Sequence, residues 1–210
     1  MDKNGLVYTI IFSFLVTFGF VFLLALANEG TRTIVEENAK VADYQAVLTA
    51  LGMEYEVGNN QDIIQKYQQV SDVTDTYGSS DGSTLYRAEV ENQERYALRT
   101  QGSGLWGTIE LVLGFDSSLR TFSGLEIISH NETPGLGGRI DESWFKEQFV
   151  NQQIPGESRL SFKQGTGSGD PNKNDSGVDA ITGATRTSES MDTIINRAID
   201  RMRQILGGKS

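Results

Sequence analysis

The sequence predicts an α+β protein: a single N-terminal transmembrane helix, then one domain with an antiparallel sheet flanked by helices. Three observations carry that prediction. Residues Gly5–Ala27 run for 23 positions without a charge. From Thr84 to Ile128 apolar residues recur with the period of two, or the short apolar runs, that mark strands. Near the C-terminus, Met191, Ile194, Ile195, Ala198, Met202, Ile205 and Leu206 fall on one face of a helix.

The elements follow in order. Roughly 20 apolar residues cross a bilayer as a helix, so Gly5–Ala27 spans it with some tilt. A cleaved secretory signal is the competing reading, with Ala25-Leu26-Ala27 as a small-x-small site. Against it, the run exceeds the ~7–15 residues of a signal core, and the leader Met1–Asn4 carries Asp2 as well as Lys3. Lys and Arg counts on the two sides barely discriminate orientation. A four-residue leader is easily retained, which favours the N-terminus in the cytoplasm and the domain outside.

Thr31–Leu51 reads as a helix whose stripe is Ile34, Ala39, Val41, Ala42, Ala46, Val47, Ala50 and Leu51. Asn59-Asn60 punctuates, and Ile63–Val70 is a second short helix. Strands are expected at Leu85–Val90, Tyr96–Thr100, Leu105–Phe115 and Thr121–Ile128, and a helix at Asp141–Val150 around Trp144, Phe145 and Phe149. The polar run Gln164–Gly177 reads as an exposed loop. Glu189 and Asp192 are expected in the first turn of the final helix, where the dipole favours them. The implied organisation is an anchor over residues 1–30, a helical connecting segment over 31–82 and one domain over 83–210.

Composition excludes much chemistry. There is no cysteine, hence no disulfide, no Cys-ligated metal or iron–sulfur cluster and no thiol nucleophile. His130 is the only histidine, so a multi-histidine metal site is excluded too. A net charge of −10, from 18 basic and 28 acidic residues, argues against nucleic acid as a partner.

Two nucleotide-binding lookalikes fail on context. Gly102-Ser103-Gly104-Leu105-Trp106-Gly107 fits G-x-G-x-x-G, but the residues after it, Thr108–Leu113, are strand-like where a dinucleotide site needs a helix. Gly208-Lys209-Ser210 resembles the end of a phosphate loop, yet Arg203 stands where the first glycine belongs.

The informative segment is Asp179-Ala180-Ile181-Thr182-Gly183-Ala184-Thr185-Arg186-Thr187-Ser188, a small-residue turn entering the last helix. Two readings are open from the residues alone. Thr185 caps the helix with its hydroxyl, or the turn and the unpaired helix N–H groups hold a phosphate or other anion.

Asp179–Thr185 matches D-x-x-[ST]-G-A-T, and the chain resembles the FMN-binding domain family. That family includes the C subunit of the sodium-translocating NADH:quinone reductase and the G subunit of the Rnf electron-transport complex. His130-Asn131-Glu132-Thr133-Pro134-Gly135-Leu136-Gly137 resembles a second segment of the family, as does the tract Gly102–Gly107. The resemblance implies FMN esterified through its phosphate to Thr185 by a separate, magnesium-dependent flavin transferase. Asp179, Thr182, Gly183 and Ala184 would be the recognition motif, Thr187 a further cofactor-binding residue, and Glu132, Thr133, Leu136 and Gly137 would border the isoalloxazine. Trp106 either stacks on the flavin or belongs to the core. His130 either tunes a flavin nitrogen or is a satisfied structural residue.

An unactivated threonine is a weak nucleophile, and no His or Cys near Thr185 in sequence could activate it, so the bond must be made in trans. By the resemblance this is an electron-relay subunit in a bacterial plasma membrane, working with the other membrane subunits of a cation-translocating complex. G-S-G-L-W-G and the Ala50-Leu51-Gly52-Met53 stretch look more like the quinone-reductase subunit; the short length and plain C-terminal helix look more like the Rnf subunit. A membrane-anchored module holding FMN non-covalently, and a stand-alone extracytoplasmic flavoprotein, are the alternatives.

Overall fold

The computed structural model describes residues 5–78, 82–156, 158–165 and 167–207. The leader Met1–Asn4 and the lookalike Gly208-Lys209-Ser210 lie outside the described residues. The chain divides once into compact units, Met1–Val41 and Ala42–Ser210, where the sequence suggests breaks near residues 30 and 82.

The first helix, α1, runs Leu6–Leu51 without interruption, so the expected span and the expected Thr31–Leu51 helix are one element of 46 residues. No Gly-Pro break or cap separates them. Among the described residues it is the one helix long and apolar enough to cross a membrane, and none of its apolar stretch is buried within the chain. The expected helical stripe is buried only at its end, through Ala46, Val47, Ala50 and Leu51, joined there by Leu48, while Ile34 is exposed. The helix closes with paired bonds from Met53 N–H to the Leu48 carbonyl and from Gly52 N–H to the Thr49 carbonyl, which satisfy its last acceptors.

In the second unit, α2 (Asn60–Tyr67) is capped by Asn59, whose side chain accepts from Asp62 N–H. The sheet is an antiparallel meander in the order β1 (Ser71–Asp72), β2 (Thr84–Val90), β3 (Gln93–Ser103), β4 (Thr108–Asp116), β5 (Phe122–Ser129), with the four-residue α3 (Thr74–Tyr77) after β1. All four expected strands are present, at shifted ends. Leu105–Gly107, expected within a strand, instead turn the β3–β4 hairpin, with Gly104 N–H donating to the Gly107 carbonyl at 2.7 Å.

Alternation sorts the side chains between two faces. Leu85, Tyr96, Leu98, Ile109, Leu111, Leu113, Phe115, Phe122 and Leu125 build the larger core. Tyr86, Ala88, Ala97 and Val112 meet the end of α1 on the other side. After β5 come a 3-10 turn (Gly137–Asp141) and α4 (Ser143–Glu147), shorter than the expected Asp141–Val150 at both ends: Asp141 belongs to the 3-10 turn, and Gln148–Val150 leave the helix as a turn. Phe145 and Phe149 nevertheless insert fully into the core. The sequence reading missed a parallel pair, β6 (Ser161–Gln164) and β7 (Gly177–Ala180), each four residues long. The last helix, α5 (Thr185–Gly207), buries Met191, Ile194, Ile195, Ala198, Ile199 and Met202. It begins earlier than expected, so Glu189 and Asp192 lie beyond its first turn.

Candidate functional site

Three loops converge at the N-terminus of α5, and two of them are the same local structure. In Ile181-Thr182-Gly183-Ala184, Ala184 N–H donates to the Ile181 carbonyl at 3.0 Å and Gly183 has φ +81°. In Thr133-Pro134-Gly135-Leu136, Leu136 N–H donates to the Thr133 carbonyl at 3.1 Å and Gly135 has φ +74°. Both are type II turns: a left-handed third residue is what glycine provides, and proline suits the second position. The two sequence motifs therefore encode two matched turns. The turns adjoin, the Leu136 side chain lying beside Gly183.

The turn before α5 is secured from below. Ser188 Oγ accepts from Ile181 N–H at 3.0 Å and donates to the Ala184 carbonyl at 3.1 Å. Asp179 is held in β7 by Gln148, whose buried amide accepts from Asp179 N–H at 2.8 Å and donates to the Asp179 carbonyl at 3.1 Å. The Asp179 carboxylate packs over Gly165, where a Cβ would overlap it. Neither Gln148 nor Ser188 carries a motif signal in its own right; each is found only once the backbone it serves is known.

Thr185 is the first residue of α5 and is exposed. Its hydroxyl makes no hydrogen bond among the described residues, and Ala184 occupies the cap position, so the helix-cap reading does not hold. The first N–H to re-enter the helix is that of Ser188, to the Ala184 carbonyl at 3.0 Å. The amides of Thr185, Arg186 and Thr187 are thus left at the positive end of a 23-residue helix. Thr185 opens on a cleft of about 650 Å³, shared with Phe162, Gln164, Thr182, Gly183, Glu189 and Asp192. That volume lies in the range of small-molecule sites. Partial burial raises the Asp192 carboxyl above the ordinary aspartate value, with Arg159 opposing the shift.

Trp106, at the tip of the β3–β4 hairpin, is 68% exposed, which removes the core reading of this residue. Leu136 is 48% exposed, and Thr133 and Thr182 are also on the surface. Glu132, Gly137 and Thr187 are not on that surface. Glu132 is 4% exposed: Oε1 accepts from the N–H groups of Leu105 at 2.8 Å and Trp106 at 3.1 Å, and Oε2 from the Thr187 hydroxyl at 2.5 Å. Glu132 and Gly137, expected along a ring edge, and Thr187, expected as a further cofactor-binding residue, instead lie beneath the loops. His130 is structural in the same sense: Nδ1 accepts from Glu132 N–H at 2.9 Å, and Nε2 is 2.8 Å from Asp141.

Sequence comparison addresses the same region. The FMN-binding domain family profile matches residues 104–200, from the hairpin tip through most of α5. The G subunit of an ion-translocating oxidoreductase complex from Methanosarcina acetivorans is 30% identical over 161 residues, 74% of this chain and 79% of that protein. The chain belongs to the FMN-binding domain family.

Within the family, the C subunit of the Na(+)-translocating NADH-quinone reductase of Pseudomonas aeruginosa is 32% identical over 118 residues, 54% of this chain. The chain covers 45% of that relative's length. The crystal structure of the corresponding reductase subunit from Parabacteroides distasonis superposes with a TM-score of 0.65 at 20% identity, covering 85% of this chain and 98% of that one. That likeness bears on the fold: the α+β domain with its antiparallel sheet is the family's architecture.

Two features fit FMN on the structure's own terms. A phosphate carried on the first residue of α5 meets three unbonded amides at the helix's positive end. Leu136, beside Gly183, is exposed apolar surface next to the turn, and Trp106 is a second exposed apolar side chain, on the hairpin tip that Glu132 ties to the same helix.

Proposed function

We propose that this chain carries FMN on Thr185, through a phosphoester to Oγ1, and relays electrons as a subunit of a membrane complex that couples oxidoreduction to cation translocation. The observation that carries the reading is the position of Thr185: first residue of α5, hydroxyl unengaged, open to the cleft. The bond amounts to FMN less one water, the threonine oxygen replacing a phosphate oxygen and its proton leaving. No histidine, cysteine or lysine stands within hydrogen-bond reach of Thr185 among the described residues, so a flavin transferase must supply the base that takes the hydroxyl proton; because condensation with loss of water is uphill, the flavin phosphoryl group must arrive on an activated donor whose leaving group departs as the new P–O bond forms.

Once bound, FMN supplies the electron chemistry, and the protein supplies attachment, orientation and electrostatics. The amides at the start of α5 would hold the phosphate. The turns at Thr133–Leu136 and Ile181–Ala184, with Thr133, Leu136, Thr182 and Gly183, would border the ring, and Trp106 would offer it an aromatic surface. The α1 helix would anchor the domain in a bacterial plasma membrane, with the domain on the extracytoplasmic side, where covalent attachment keeps the cofactor from being lost by dilution. Its partners would be the other membrane subunits. The family relatives support this reading, since their names describe subunits of Na(+)- or ion-translocating reductases.

The test is flavin fluorescence and intact mass of the denatured protein after co-expression with a flavin transferase. Wild type is expected to keep the fluorescence and to gain the mass of FMN less water, and Thr185→Ala to lose both. Flavin that washes away on denaturation would leave the non-covalent module as the function.

A further inference from the structure

Glu132 lies between the two surfaces that the flavin reading needs. Its carboxylate takes two consecutive backbone amides of the hairpin tip, Leu105 and Trp106, on one oxygen and the Thr187 hydroxyl on the other. Thr187 is two residues from Thr185 and on the same helical turn. One buried side chain therefore joins the hairpin that carries Trp106, the loop that carries Thr133 and Leu136, and the helix that begins with Thr185.

Two glycines make room for that side chain. A Cβ on Gly104 would come within 2.5 Å of Oε1, and a Cβ on Gly137 within 2.7 Å of Oε2 while overlapping the Thr187 hydroxyl. Both glycines are the small walls of a slot shaped around a carboxylate. Glu132 N–H is itself fixed by His130, which Asp141 orients. Buried hydrogen bonds to a charged acceptor are among the stronger ones, and an orphaned donor there is costly.

We propose that Glu132 is a positioning residue: it sets where Trp106 and Thr185 stand relative to one another, and makes no contact with the flavin. The consequence for Thr185 rests on the function proposed above; the consequence for Trp106 does not. Thr187 is its partner on the helix.

The test uses the full chain with Trp144→Phe, so that Trp106 is the one remaining tryptophan. In flavin-free protein, Glu132→Met, which keeps the side-chain length but removes the acceptor for the Leu105 and Trp106 amides, is expected to lower the fluorescence anisotropy of Trp106 as the hairpin tip loosens. Thr187→Val, which removes one donor at constant volume, is expected to leave that anisotropy nearer wild type, since the Leu105 and Trp106 amides keep their acceptor. In flavin-loaded protein both variants are expected to raise Trp106 emission at least twofold, because quenching by the ring weakens. The double variant is expected to do no more than the stronger single one, as coupled partners do.

Unchanged anisotropy in folded Glu132→Met would overturn the proposal. So would full quenching in Thr187→Val should Glu132→Met fail to fold. If wild type takes up no flavin on Thr185 yet the anisotropy falls, the assigned function fails and the role of Glu132 in placing Trp106 stands.

Discussion

The two faces of the central sheet are covered by helices in opposite ways. On one face α5, α4 and the turn after α4 press large side chains into a thick core, with Phe145, Phe149, Met191, Ile195 and Met202 fully buried against Leu98, Leu111, Leu113, Phe115 and Phe122. On the other face the end of α1 comes down to the backbone. Gly114 and Gly124 are register partners there, and a Cβ on Gly114 would overlap the Ala50 carbonyl while one on Gly124 would lie 2.7 Å from that of Thr49. Ser123 Oγ donates to the Ala50 carbonyl at 2.6 Å and Arg95 to that of Leu51 at 2.9 Å. One helix is held by what its side chains fill and the other by what the sheet leaves out. The candidate site belongs to the filled face, where α5 can be fixed in depth while its first turn remains open.

The largest effect should come from emptying the filled face. Phe149 is surrounded by the rings of Phe122, Phe145 and Phe162. Phe149→Ala is expected to cost about 3–5 kcal/mol in urea unfolding of the full chain in detergent, as large cavities do. Gly114→Ala is expected to cost about 1–3 kcal/mol by the opposite mechanism, overpacking against a helix carbonyl. If Gly114→Ala were neutral, α1 would not be seated on the backbone and the contrast would fail.

The smallest effect sharpens the account of the cleft. Asp192 has a raised pKa in the folded chain, so the native state holds its proton to higher pH than the unfolded chain does. Stability contributed by that proton is present at low pH and is lost as pH rises through the raised value. Asp192→Asn is accordingly expected to gain up to ~0.5 kcal/mol at neutral pH. The gain should vanish below the ordinary aspartate value; a gain that persists in acid would mean that the carboxyl is not strained by burial.

These contrasts also explain what could be read in advance. The four longer strands and the buried stripe of α5 write themselves as periodic apolar residues, so Leu85 to Phe122 and Met191 to Met202 were legible. The seat of α1 is written as missing side chains, and Gly114 and Gly124 give no periodic signal. The pair β6–β7 is only four residues per strand and rests on Gln148, a contact across 31 residues of chain. In the site, the turns at Thr133–Leu136 and Ile181–Ala184 were visible as Pro-Gly and Thr-Gly punctuation. The inward course of Glu132 was not, because its partners are backbone amides 26 and 27 residues earlier and a hydroxyl 55 residues later.

Thr182 is the closest rival to Thr185 as the acceptor: it too is exposed beside the cleft, three residues earlier, inside the turn that precedes α5. The physical difference is that Thr185 stands at the helix's positive end and Thr182 does not. Tandem mass spectrometry of the tryptic peptide Asn174–Arg186 from flavin-loaded protein separates the two, since fragments containing one threonine without the other carry or lack the added mass. The added mass, FMN less water, is expected on Thr185, with Thr182 and Ser176 unmodified. The added mass on Thr182 or Ser176, or an unmodified peptide from protein that retains its flavin, would contradict Thr185 as the acceptor.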